Sequence, residues 1–398
     1  MNQTTADFIR NNAEADVRQL ALRGARIPDV DLPFALDQIA GRQTARHKLP
    51  SWAAVDGVVY PPHLSMEQCS SEQTARYKGK LLADKCRAKA NARLVDLTGG
   101  FGVDFVFMAQ ALSSATTHFT YVERQEHLCA IARQNFRLLG LSQAEVVCAD
   151  GAEYLLTMPS AEVIFLDPAR RDGHGGRTYG ISDCTPDVLQ LRDLLLQKAC
   201  CVLLKLSPML DWRKAVDDLG ERYVREVHIV SVRNECKELL VLLGLGEGFR
   251  LVCANDDSVF EVESCGNDEP CLSDSPCAGQ FLYEPNASIM KAGCFSALSQ
   301  RLGVAAIAQN SHLFIATNLV DDFPGRAFQI EAVTSLNKRE LKKHLCNISQ
   351  ANITVRNFPL SVAELRRRLK LNEGGSTYIF ATTLASGDRV LLVCHKVM

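Results

Sequence analysis

Four acidic residues stand at the ends of short apolar runs: Asp96 in RLVDLTG, Glu123 in FTYVER, Asp150 in AEVVCAD and Asp167 in AEVIFLDP. The first leads into a glycine-rich turn, DLTGGFGVDF. Such a turn between a buried strand and a helix lets the backbone approach a ligand closely and presents the amide end of the helix. A pyrophosphate is one ligand that uses this geometry, through the spacing GxGxxG. Gly100 and Gly102 fill the first two positions, but Phe105 occupies the third. Asp96 would also repel a pyrophosphate, so a cationic or zwitterionic ligand suits the turn better. Taken singly, Glu123 or Asp150 reads equally well as a strand-end cap or turn residue. Together, acids at the ends of successive parallel strands converge on one crevice.

The elements that must place them follow from the pattern of the chain. Residues 1–82 read as a helical N-terminal region, with TTADFIRNNAEADVRQLALRG and SMEQCSSEQTARYKGKLLADKC at helical spacing. Residues 83–253 alternate short apolar strands with helical stretches, the signature of a parallel α/β sheet. REVHIVSVRN and KELLVLLGLG are separated only by a polar turn, which predicts a hairpin and an antiparallel edge. Residues 254–279 are rich in Asp, Ser, Asn, Gly and Pro and read as a boundary. Residues 280–325 form a small linking segment. Residues 326–398 read as strand, helix, strand, helix, strand, strand, an α+β unit.

Composition narrows the function classes. With 47% hydrophobic and 23% charged residues, the chain is expected to be globular rather than disordered. Its N-terminus has no signal-peptide pattern and its apolar runs are too short to span a bilayer, so a cytoplasmic protein with no membrane partner is expected. Fifteen cysteines without CxxC pairing read as reduced thiols. Cys265, Cys271 and Cys277 lie in an acidic stretch without histidine, which reads as a linker, and no metal is expected. The net charge of −2 hides an asymmetry: residues 280–398 carry net +6 and residues 1–279 net −8. A basic tail on an acidic body points to a polyanionic partner.

Asp96, Thr98, Gly100 and Gly102, with Glu123, Asp150 and Asp167 following in order, resemble the motifs of class I S-adenosylmethionine-dependent methyltransferases. The resemblance implies a Rossmann-like seven-stranded domain and S-adenosyl-L-methionine as cofactor. It places Glu123 on the ribose hydroxyls, Asp150 on the adenine amino group and Asp167 beside the transferred methyl. Asp104 and Gly151, flanking these motifs, complete the candidate cofactor set. Asp167-Pro168-Ala169-Arg170 resembles the Asp/Asn-Pro-Pro-aromatic motif of enzymes that methylate exocyclic amino groups, which makes Asp167, Pro168 and Arg170 the candidate catalytic residues. The motif departs at Ala169 and Arg170, so the face on which a flipped base would stack is missing from it. Arg171 reads as a phosphate contact or a solvated turn residue. His174 and Tyr179 lie in the Gly- and Arg-rich loop that follows, and Cys184 reads as a packed thiol rather than a nucleophile. Lys205 and Pro208 either line the acceptor pocket or simply end a strand. Glu72, Thr74 and Lys78 either face the cofactor mouth or form a helix surface.

LYEPNASIMKAG, FPGRAF and NFPLSVAELRRRLKLNEGGSTYIFATTL, together with YPPHLSMEQCSSEQTARYK and FLDPARR, are similar to a group of class I methyltransferases with a ferredoxin-like segment and a C-terminal THUMP-like domain. That resemblance implies structured rRNA or tRNA as partner and methylation of a base nitrogen. The DLTGGFGVDF turn is also similar to that of ribosomal-RNA guanine N2-methyltransferases. Lys338, Arg339, Lys342 and Lys343 in one predicted helix, and Arg366 and Arg367 in another, are the candidate RNA contacts; both helices equally suit solvated faces. The alternatives are a protein or small-molecule methyltransferase, for which the tail is dispensable, and a catalytically silent module that binds cofactor and RNA.

Overall fold

The computed structural model describes residues 2–23, 28–85, 92–113, 117–170, 180–263, 269–273 and 275–397. The chain divides into two units, residues 1–226 with 238–247 and residues 227–237 with 248–398.

The first unit is built on β1 (Arg93–Asp96), β2 (His118–Glu123), β3 (Glu145–Cys148), β4 (Ala161–Leu166) and β5 (Ala199–Leu206). They pair in parallel in the order β3-β2-β1-β4-β5. The central residues of β1, β2, β4 and β5 are buried on both faces, which is why the sequence shows continuous apolar runs there rather than alternation, while those of β3 are only half-buried. β6 (Val224–Val232) and β7 (Glu235–Leu243) follow. Arg233 and Asn234 both take positive φ, 52° and 61°, in the turn between them. β7 runs antiparallel to β5, pairing Leu239–Leu243 with Val202–Leu206, so antiparallel strands follow the parallel ones as expected. The order β3-β2-β1-β4-β5-β7 is the one the resemblance implies. Three of the helices between strands start at side-chain caps: Asp150 accepts from the amides of Ala152 and Glu153, and Asp187 and Asp211 do the same for their helices.

The N-terminal region is helical, with Gln3–Asn11, Val17–Arg23, Leu32–Lys48, Pro50–Ala53, His63–Gln68 and Glu72–Lys85. Two buried amide side chains clip the extended segment after Gly57. Gln38 donates to Tyr60 O at 2.8 Å and accepts from its N–H at 2.9 Å. Asn135 does the same for Val59, at 2.8 and 2.9 Å. Trp52 meets Phe101 of the glycine turn edge to face, with ring centroids 5.0 Å apart. The N-terminal helices thus support the turn from outside rather than merely preceding it.

In the second unit, β8 (Arg250–Asn255) and β9 (Ser258–Val262) form a hairpin within the stretch read as a boundary. β10 (Phe281–Pro285), β11 (Ala305–Ala306), β12 (Phe314–Ala316), β13 (Gly325–Thr334), β14 (Asn352–Arg356), β15 (Thr377–Thr383) and β16 (Arg389–Lys396) form one sheet, ordered β11-β12-β10-β13-β16-β15-β14. Alternate residues of β15 and β16 enter different cores. Phe380, Leu392 and Cys394 pack with Leu282 and Phe328 on one face, and Ile379, Ala381, Leu391 and Val393 pack with Leu345 and Leu365 of two helices on the other. Those helices, Lys338–Leu345 and Val362–Leu369, are the two basic segments, and a capping box of Ser361 and Glu364 starts the second.

Helices Glu72–Lys85 and Val103–Leu112 approach closely at Gly79. A β-carbon there would lie 2.7 Å from the carbonyl oxygen of Phe107 and 3.1 Å from the Ala111 methyl. Gly79→Ala should therefore cost about 1–3 kcal/mol of stability from forced separation, although alanine favours a helix by about 1 kcal/mol. Urea unfolding measures this, and an unchanged midpoint would show that the two helices part freely.

Candidate functional site

The ends of β1, β2 and β4 meet around the glycine turn. Gly100 and Gly102 have φ of 56° and 83°, a conformation that favours glycine, and Gly102 leads directly into helix Val103–Leu112. The Gly100 amide donates to Glu123 Oε2 at 2.8 Å, while the Gln125 amide donates to Oε1 at 2.8 Å. Tyr121 donates its hydroxyl to the Gly100 carbonyl. Asp96, 1% exposed, accepts from the Thr98 amide at 2.9 Å. Thr98 Oγ1 in turn accepts from the Asp167 amide at 2.6 Å, which ties the ends of β1 and β4 together. Gly151 fits against β1 so tightly that a β-carbon would lie 2.0 Å from the Leu97 carbonyl oxygen. Asp150 lies exposed beside it with Oδ1 held by the helix amides.

A second layer lies behind Asp167. Lys205, at the end of β5, donates to Asp167 Oδ2 at 2.6 Å and to Asp104 Oδ2 at 3.3 Å. Lys78 Nζ lies 3.1 Å from Asp104 Oδ1 and donates to both oxygens of Glu238 at 2.6 Å. Ser70 donates to Asp104 at 2.8 Å. Carboxylate and ammonium alternate from Asp167 to Glu238. Burial pushes the Asp104 carboxyl up, but Lys78 and Lys205 outweigh it and hold the group below its ordinary value. For Glu238, burial prevails over the lysines and the carboxyl stays raised. Burial works to lower the Lys205 ammonium, and Asp167, Asp104 and Glu238 overcome it, holding it well above the usual lysine value.

These positions sort the sequence candidates. Asp96, Thr98, Gly100, Gly102, Glu123 and Asp167 gather at one edge, with buried Pro168 beside them. Asp104, expected to face the cofactor, has its oxygens within reach of Lys78, Lys205 and Ser70 instead. Glu72 is not at the mouth: it accepts from the amide and hydroxyl of Ser51 and pairs with Arg76. Thr74 bonds Ser71, a helix-start contact. The side chain of Arg170, and Arg171, His174 and Tyr179, lie outside the described residues. Cys184 is buried. Glu238 was missed, because a glutamate in a hairpin strand carries no sequence sign of a buried lysine 160 positions away. Among the described residues, no group of three His, Cys, Asp or Glu gathers as a metal site, and no helix is long and apolar enough to cross a membrane.

Comparison with known proteins agrees with this geometry. A family model described as ferredoxin-like matches residues 281–324, and one described as THUMP domain-like matches residues 325–396. A solved structure of a candidate methyltransferase from Porphyromonas gingivalis W83 is 31% identical, with a TM-score of 0.84 over 99% of this chain and 98% of that one. The chain belongs to the class I S-adenosylmethionine-dependent methyltransferases. Within them it falls in the group with C-terminal ferredoxin-like and THUMP-like domains. Two Mycobacterium tuberculosis relatives, from strains CDC 1551 and H37Rv, are uncharacterised S-adenosylmethionine-dependent methyltransferases, 26% identical over 330 residues, 81% of this chain and 84% of theirs.

The methyltransferase uses S-adenosylmethionine; Glu123 would meet its ribose diol and Asp150 its amino group, while the turn amides of Thr98, Gly99, Gly100 and Gly102 already donate within the protein. Burial, reinforced by Asp104, Asp167 and Glu123, pushes the Asp96 carboxyl well above its ordinary range, so a cationic ligand beside it would relieve the site. When bound, the cofactor supplies a methyl group on a positively charged sulfur.

Two outcomes follow. A cationic ligand favours ionised Asp96, so binding should release a proton, and S-adenosylmethionine affinity should rise with pH above the ordinary carboxylate range. Calorimetry at several pH values tests this, and flat or falling affinity would remove Asp96 from the site. Lys78→Met should cost about 3–5 kcal/mol of stability by leaving Glu238 without its partner and Asp104 with Lys205 alone, and adding Glu238→Gln should recover part of it. Equal denaturant midpoints for the single and double variants would mean that the pair is not coupled.

Proposed function

We propose that this enzyme methylates RNA, with structured rRNA or tRNA as substrate. The observation that carries the reading is the THUMP-like match over residues 325–396, combined with the charge of that unit. Lys338, Arg339, Lys342 and Lys343 are all exposed along one helix, in the part of the chain that carries net +6. That arrangement suits contact with a phosphate backbone. On the second helix Arg367 is exposed, but Arg366 is half-buried and donates to the Ala351 carbonyl at 3.2 Å. Arg366 is thereby used in holding the fold, which reduces its value as an RNA contact.

Asp167 and Pro168 are the proposed acceptor-positioning residues, and Glu123, Asp150, Asp96 and the glycine turn the cofactor set. The expectation of a base nitrogen as acceptor rests on Asp167 and Pro168 alone, since Ala169 and Arg170 depart from the amino-methylating motif. A protein or small-molecule target would leave the basic helices dispensable.

The test is transfer of a tritiated methyl group from S-adenosylmethionine to RNA from cells lacking the protein. Label should enter RNA, and Asp167→Ala should abolish it while cofactor affinity stays within several-fold. Label entering only protein or small molecules would refute the RNA reading, and native-rate transfer by Asp167→Ala would remove that residue from the mechanism. Replacing Lys342 and Lys343 with Glu should weaken RNA binding and lower the slope of log affinity against log salt by roughly 1.4–1.8, the share of two phosphate contacts. An unchanged slope would make the helix a solvated face.

A further inference from the structure

We infer that the methyl acceptor is a hydroxyl oxygen, and, on the RNA reading above on which this rests, the 2′-hydroxyl of a ribose rather than a base nitrogen. The geometry behind the inference is the pairing of Asp167 with Lys205 at 2.6 Å, an ion pair placed where the acceptor must sit. The Asp167 side chain is 40% exposed and that of Lys205 only 12%, so the carboxylate faces the acceptor with the ammonium against it.

The two kinds of acceptor ask for opposite charges at this place. An amino nitrogen attacks with its lone pair and gains positive charge as the new bond forms. A lysine ammonium beside it opposes that change. A hydroxyl oxygen must shed its proton and gains negative charge. An ammonium fixed nearby stabilises that charge, in the way that preorganised lysines stabilise developing alkoxides. Lys205 is held charged by Asp167, Asp104 and Glu238 around it, so it serves as a fixed positive charge and not as the base.

The step balances with these residues alone. The hydroxyl donates a hydrogen bond to the Asp167 carboxylate, which takes its proton and later returns it to water. The oxygen forms its bond to the methyl carbon as the carbon–sulfur bond breaks, and the sulfur keeps the bonding electrons and becomes neutral. Lys205 stabilises the oxygen throughout.

A second observation points the same way. Enzymes that methylate the amino group of a flipped base need a face on which to stack it. Here the positions after Pro168 are Ala169, which is exposed, and Arg170. A ribose hydroxyl needs no stacking face.

The decisive experiment uses the unaltered full chain and a tritiated methyl donor with RNA from cells lacking the protein, followed by digestion to nucleosides and cleavage of base from sugar. Label should remain with the sugar, in 2′-O-methylnucleosides. Label on a base would overturn the inference and leave the RNA reading intact, whereas no label in RNA would overturn both. In parallel, Lys205→Met should slow transfer about 10²–10³-fold while calorimetric affinity for S-adenosylmethionine stays within several-fold, and Lys205→Arg, which keeps the charge, should recover part of the rate. Native-rate transfer by Lys205→Met would contradict the role given to Lys205. Should the methionine variant fail to fold, the nucleoside analysis remains decisive because it needs no substitution.

Discussion

The sheet edge at Asp167 depends on a chain of alternating charges, most of it buried. Asp167, Lys205, Asp104, Lys78 and Glu238 come from the ends of two parallel strands, two helices and a hairpin strand, and Lys78 is completely buried. Removing an ion from water costs several kcal/mol even after relaxation, so the buried Lys78, Asp104 and Glu238 are not tolerable without their neighbours. Three carboxylates face two ammoniums. Burial keeps the Glu238 carboxyl raised at the far end, while the carboxyl of Asp104, between both lysines, is held low. The chain therefore anchors the Asp167 carboxylate from behind.

Around this anchor the cofactor edge is assembled mostly from backbone. The Gly100 amide points at Glu123, and the Asp167 amide at Thr98, so the three strand ends cannot shift independently. Trp52, from the N-terminal helical region, packs on Phe101 within the turn. The N-terminal region thus belongs to the site, although none of its residues is assigned to the cofactor.

Much of this was legible in the sequence for a specific reason. Buried parallel strands give apolar runs, and their ends must carry the polar residues that face the crevice, so Asp96, Glu123, Asp150 and Asp167 stood out by position. The hairpin was legible because two apolar runs enclosed only a short polar turn. What was not legible depends on distant partners. Lys78 looks like any lysine on a polar helix, and only the fold brings Glu238 to it. Asp104 and Arg366 were read by neighbourhood or charge, and each is engaged by groups that sequence spacing cannot reveal. The strands of two or three residues between Ala305 and Ala316 were too short to show any period.

The central claim is that Lys205 is a permanent positive charge behind Asp167. Titration of the protein by NMR, with nitrogen-15 at the lysine side chains, reads this directly. The account predicts that Lys205 remains an ammonium beyond the ordinary lysine pKa of about 10.4. A Lys205 amine that is neutral near pH 7 would contradict it, and would make the lysine a base rather than an anchor.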